Sequence, residues 1–140
     1  MIFTLRNFLF FLFIISYYHV SPIQQTVAVR GRLMCGDEPL ANDKVRLWDD
    51  STLSTDTQLA SVRTNSSGYY ELKGSKGATF TMDVKLKFYT DCEDGIMPCQ
   101  RKITLTIPSK YITKGDNEVK WFDAGTMNLA LKFKDEDRDC

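Results

Sequence analysis

The chain has 140 residues, 18 basic and 18 acidic side chains, 43% hydrophobic residues and one histidine, so it is uncharged overall near neutrality. That balance excludes the basic field expected of a nucleic-acid binder and provides no general attraction to acidic substrates or membrane surfaces. The length suits one domain with a single modest core.

Residues 1–21 read as a signal peptide. Arg6 forms a short basic region, residues 8–15 (FLFFLFII) are continuously apolar, and more polar residues follow over 16–25. The run is too short for the ~20 residues that span a bilayer. Cleavage is expected somewhere within 16–24, leaving one secreted, extracellular domain over 22–140. An uncleaved N-terminal anchor is the alternative. Loss of Arg6 leaves the mature chain slightly acidic.

Beyond the leader the dominant period is two. Val27, Val29, Leu33 and Cys35 alternate with Ala28, Arg30, Arg32 and Met34, which predicts a first strand. Residues 44–49 follow, with Val45 and Leu47 inward, and then 58–64. Asn65-Ser66-Ser67-Gly68 is a chain reversal leading into a strand at 69–73. Phe80, Met82, Val84, Leu86 and Phe88 make a long apolar face. Ile103, Leu105 and Ile107 make another, ended by Pro108. A short helix is placed at 109–111, a strand at 118–122, and a last alternation at Met127, Leu129, Leu131 and Phe133. Such alternation marks antiparallel strands with one face on a core and one in water. Seven or eight strands with turns every 8–12 residues predict an all-β, two-sheet sandwich or small barrel.

Cys35, Cys92, Cys99 and Cys140 all lie past the leader, and an even count in a short exported chain implies two disulfides. Three connectivities are open. The local spacing around Gly95 and Pro98 favours Cys92–Cys99, which leaves Cys35 with Cys140.

Several fragments in fixed order carry a family likeness. They are VAVRGRLMC (27–35), PLAN (39–42), VRLWD (45–49), TNSSGYYEL (64–72), YTDC (89–92), PCQR (98–101), IPSKYI (107–112), NLA (128–130) and RDC (138–140). From residue 26 to 140 the chain resembles the nematode transthyretin-like proteins. The resemblance implies a secreted, disulfide-bonded, transthyretin-like β-sandwich with two sheets of about four strands. Members often carry His after the Tyr preceding the first hairpin cysteine; here Thr90 follows Tyr89. The same fold serves 5-hydroxyisourate hydrolases, which resemble it but use histidines, an arginine and a Tyr-Arg-Gly-Ser tail. Here the one histidine is His19, beside the leader, and the tail reads Arg138-Asp139-Cys140. General-base and Ser-His or Cys-His chemistry therefore lack their histidine, and no catalytic residue, cofactor or metal is assigned.

The acidic groups around Cys92 and at 135–139 lack the graded spacing of a calcium loop and read as solvated. Lys85 and Lys87 share one outward strand face. With Arg101 and Lys102 they make a candidate surface for a protein receptor, a cell-surface component or lipid headgroups. Asn65-Ser66-Ser67 is an N-glycosylation sequon in a predicted turn. The expected function is a secreted, non-catalytic extracellular binding or signalling module. A carrier of a small hydrophobic ligand is the alternative, and a hydrolase is a more distant one. No nucleic-acid partner is expected.

Overall fold

A computed structural model describes residues 22–53 and 55–140, so the signal peptide expected at 1–21 lies outside the described residues. The strands are β1 (Ile23–Cys35), β2 (Glu38–Pro39), β3 (Lys44–Asp49), β4 (Thr57–Arg63), β5 (Tyr69–Ala78), β6 (Val84–Thr90), β7 (Gln100–Thr106), β8 (Thr113–Lys114), β9 (Trp121–Asn128) and β10 (Asp137–Asp139). A single 3₁₀ turn at Ser109–Tyr111 occupies the place of the expected short helix.

In the first sheet β1 is central. Strand β5 runs antiparallel along one edge, and β9 runs parallel along the other, with β8 and β2 as short additions. The second sheet has the order β10-β7-β6-β3-β4 and is antiparallel throughout. Two facing sheets of this kind form the expected transthyretin-like sandwich.

The inward residues are those the alternation selects. Val27, Val29 and Leu33 from β1 meet Val45 and Leu47 from β3, Val84, Leu86 and Phe88 from β6, and Ile103 from β7. Each such side chain contributes on the order of 1.5–3 kcal/mol when fully buried. Tyr70 stands edge-on to Phe88, with ring centroids 5.6 Å apart. The reversal at 65–68 is fixed by Gly68, whose φ is +82° and which packs against the Leu33 carbonyl too closely for any Cβ.

Two expected strand limits are corrected. The apolar face does not extend back to Phe80, which is 63% exposed. Buried Gln25 takes over the segment before β6: its Nε2 donates to the Ala78 and Phe80 carbonyls, and its Oε1 accepts from the Met82 N–H. The backbone there is satisfied by a side chain, so no ladder forms until Val84. At the other end, the alternation from Met127 to Phe133 is not one strand. The Asn128 side chain accepts from the Gly36 and Ala130 N–H groups and donates to the Gly36 carbonyl, which turns the chain and leaves Leu131 exposed.

The disulfide pairing is corrected as well: the bridges are Cys35–Cys92 and Cys99–Cys140. Thr90 is in register with Arg101, so a continued ladder would have set Cys92 opposite Cys99. The ladder stops because the chain turns after Thr90, with Asp94 N–H donating to the Asp91 carbonyl at 3.2 Å. Cys92 then points into the core beside the end of β1. Strand β10 meanwhile adds to the outer edge of β7 with Asp139 opposite Gln100, which brings Cys140 to Cys99.

The tail has a second fastening. Arg138 donates through Nη1 and Nη2 to both oxygens of Asp94, at 3.0 and 2.7 Å. The Arg138 hydrogen bond, aided by its charge, outweighs desolvation and holds Asp94 below its ordinary carboxylate value. A depressed folded value means the stabilisation is complete above the unfolded pKa, about 4, and is lost as pH falls through the folded one. The stability gap between wild type and Arg138→Ala should therefore narrow from pH ~6 to ~2.5. Urea midpoints at a series of pH values check this, and a constant gap would contradict it.

Candidate functional site

The sequence points to a basic surface, and the outer face of the second sheet carries one. Residues alternating with the core face of β3 (Lys44, Arg46, Trp48) and of β6 (Lys85, Lys87, Tyr89) stand side by side. Lys44 is opposite Tyr89, Arg46 opposite Lys87 and Trp48 opposite Lys85. Lys102 of β7 lies on the other side of Tyr89, and Arg63 of β4 on the other side of Lys44. Six cations thus gather around two aromatic rings.

The rings organise the charges. The Lys44 Nζ and the Arg46 guanidinium lie 5.0 and 5.2 Å from the Tyr89 ring centre, from which the two cations cover the ring. Tyr89 is consequently only 3% exposed although it points away from the core. Lys87 Nζ lies 5.2 Å from the centre of the Trp48 ring. Such contacts attract a cation to the ring face and fix the direction of otherwise mobile side chains.

Acidic residues temper part of the field. Lys87 pairs with Asp50 at 3.1 Å, and Lys85 with Asp83 at 3.2 Å while also donating to Thr106 Oγ1. Among the described residues, no hydrogen bond or ion pair engages Lys44 or Lys102 on this face. Two polar atoms of this face, Arg46 Nε and Trp48 Nε1, are buried with no hydrogen-bond partner among the described residues. The Leu47–Trp48 step is also where β3 slips register against β4.

Of the expected surface residues, Lys85, Lys87 and Lys102 fall on this face. Arg101 does not, and its assignment to a surface is corrected. It points inward, is 1% exposed and uses its guanidinium as a structural tie. The adjacent residue in a strand faces the opposite way, so Arg101 and Lys102 cannot share a surface. Lys44 and Arg46 were missed, although their alternation with Val45 and Leu47 places them outward. Lys110 and Lys114 lie apart from this face, Lys110 over Tyr111 and Lys114 donating to Thr81 Oγ1.

Other residues singled out from sequence also find their places. Trp121 and Phe122 diverge as adjacent strand residues must: Arg30 covers Trp121, and Phe122 packs edge-on against Tyr111 at 4.9 Å. Asn65 is exposed, and its Oδ1 accepts from the Ser67 and Tyr69 N–H groups. Its Nδ2, the atom a glycan would take, makes no hydrogen bond among the described residues.

Comparison with known proteins agrees with the fold. The Transthyretin-like family model matches residues 30–108. Transthyretin-like protein 33 of Caenorhabditis elegans is 45% identical over 117 residues, covering 83% of this chain and 82% of that protein. Transthyretin-like protein 5 of the same organism is 43% identical, covering 83% and 84% respectively. Transthyretin-like protein 2 is 34% identical over 122 residues, covering 83% and 82%. The match includes β1 from Arg30, the four strands of the cationic face and the Cys92–Cys99 segment, so the chain belongs to the transthyretin-like family.

Proposed function

We propose that this protein is a secreted, non-catalytic extracellular module that binds an acidic protein receptor or another cell-surface component through the outer face of the second sheet. The carrying observation is the arrangement of Lys44, Arg46, Lys87 and Lys102 around Trp48 and Tyr89. Arginine and aromatic side chains are enriched at the energetic centres of interfaces, and preordered cations need less ordering on contact. A non-catalytic role is supported by the absence of histidine from residues 22–140. The leader at 1–21 supports export.

A carrier for an apolar ligand has less support. A cleft of 620 Å³ on the other sheet is lined by Arg30, Arg32, Glu71 and Asp123 among others, which is unsuited to a hydrocarbon.

The test is native capture with the oxidised mature protein, followed by mass spectrometry of eluted proteins and lipids. Recovery of a receptor or an anionic lipid in a salt-sensitive manner is the expected result. The double variant Lys44→Glu/Lys102→Glu should lower its affinity at least about tenfold and reduce its salt dependence, with an unchanged melting temperature. Equal capture by the variant would remove this face from the function.

A further inference from the structure

The outer face of the first sheet carries Arg30, Arg32 and Lys73 against Glu71 and Asp123, and its charge is arranged in rungs, with Lys73 beside Ala28 on the far side of the Glu71 rung. Arg30 is in register with Glu71 on β5 and Asp123 on β9, so that rung is net negative. Two residues on, Arg32 is in register with Tyr69 and Thr126, so the next rung is positive. Rungs spaced this way along a strand are about 6.6 Å apart. The surface between them is an electric dipole of molecular size.

The sheet is open between the two rungs. Strand β1 slips register against β9 between Arg30 and Arg32, where Gly125 has φ +66°. Gly31 lies at the slip, opposite Tyr70, and a Cβ there would collide with the Tyr70 hydroxyl. The absent side chain at Gly31 leaves room for the Tyr70 hydroxyl, and Gly31, Tyr70 and Gly125 are among the residues lining the 620 Å³ cleft. That volume is within the usual range for small-ligand sites.

Tyr70 is 4% exposed, and its hydroxyl has no hydrogen-bond partner among the described residues. Burial first, and the Asp123 charge second, push its ionisation well above the ordinary tyrosine value. It therefore remains an O–H donor at physiological pH. Around it the charged groups keep spare capacity. Arg32 uses Nε on the Ser67 carbonyl at 2.8 Å and stacks on Tyr69, and among the described residues neither terminal nitrogen has an acceptor. Arg30 and Asp123 are only loosely paired, at 3.7 Å.

We propose that this cleft binds a small zwitterion of dipeptide size: its ammonium at the Glu71–Asp123 rung, its carboxylate at Arg32, and its central carbonyl oxygen accepting from Tyr70. A separation of several ångströms between opposite charges matches the rung spacing, and a neutral acceptor between them meets the unpaired hydroxyl. An apolar or singly charged ligand would leave one rung, or the hydroxyl, without a partner.

The test titrates the oxidised mature chain with glycylglycine, N-acetylglycylglycine (no ammonium) and glycylglycinamide (no carboxylate), read by calorimetry and amide NMR shifts. Glycylglycine should saturate at or below about 1 mM and shift the Gly31, Tyr70 and Gly125 amides. Each capped probe should bind at least about tenfold more weakly. Tyr70→Phe should keep or raise the melting temperature and weaken binding about 3–10-fold; Arg32→Gln should weaken it about tenfold or more. Absence of saturable shifts, or equal binding of the three probes, would overturn the proposal. So would wild-type affinity in Tyr70→Phe, which would mark the hydroxyl as serving an ordered water only.

Discussion

Replacing Arg101 by alanine is expected to destabilise the fold by about 3–5 kcal/mol, the range for removing one partner of a buried, hydrogen-bonded ion pair. All three guanidinium nitrogens are engaged. Nη1 donates to the Cys92 and Leu129 carbonyls at 2.8 and 2.6 Å, Nη2 to the Leu131 carbonyl at 3.0 Å, and Nε and Nη2 to Glu136 Oε2 at 2.9 and 2.7 Å. Three backbone acceptors from two separate segments, with no strand ladder to satisfy them, depend on one side chain. Its loss leaves those acceptors without partners and uncovers Glu136, in addition to the volume removed. Arg101→Lys should resemble alanine, because a single ammonium cannot supply this planar fork. Glu136→Gln should be milder, about 1–2 kcal/mol, since a carbonyl acceptor remains. Equilibrium urea unfolding of the oxidised proteins measures all three. A change below about 0.5 kcal/mol for Arg101→Ala would show that the tie is not structural.

The second large effect is expected from the Cys35–Cys92 bridge. It joins residues 57 apart in sequence and links the end of β1, in one sheet, to the segment after β6, in the other. The chain-entropy model gives about 4 kcal/mol for a ring of this size, reduced by residual structure in the unfolded state. Cys35→Ala with Cys92→Ala also opens space at a 6% exposed core position, so the measured loss should reach about 3–5 kcal/mol. The Cys99–Cys140 ring, with a separation of 41, has a similar entropic value. Its loss should be smaller because Arg138 and the β10 ladder still hold the tail to Asp94 and β7. Peptide mapping without reduction distinguishes this connectivity from the local Cys92–Cys99 alternative. Detection of a Cys92–Cys99 peptide would contradict the fold at this end.

The sequence-level expectations succeeded where a side chain's direction follows from alternation alone. Val45, Leu47, Leu86 and Phe88 are fully buried, as period two requires, and the same rule sends Lys85 and Lys87 outward. They failed where a distant side chain displaces the ladder. Gln25 captures the backbone over 78–82, and Asn128 ends β9 through Gly36; neither partner is visible in a local window. Cysteine pairing failed for a related reason, because β10 is three residues long and its edge position is set by tertiary contacts. Arg101 followed a basic neighbour into a surface assignment, although strand geometry separates it from Lys102. The zwitterion cleft left almost no sequence signal. It depends on a register slip beside Gly31 and on three strands drawn from distant parts of the chain.

The parallel β1–β9 ladder also sets an order of events as the chain folds. The second sheet grows from neighbours: β3 with β4, and β6 with β7, are successive antiparallel strands. The first sheet has the opposite character, since Ala28 must find Trp121 and Met34 must find Asn128. Contacts that distant in sequence close slowly, because the loop entropy is lost before any contact is gained. During synthesis β1 therefore emerges first yet is enclosed last, with one edge bare until β9 arrives. For a strand of thirteen residues with one apolar face, that interval is the period of greatest exposure to mispairing.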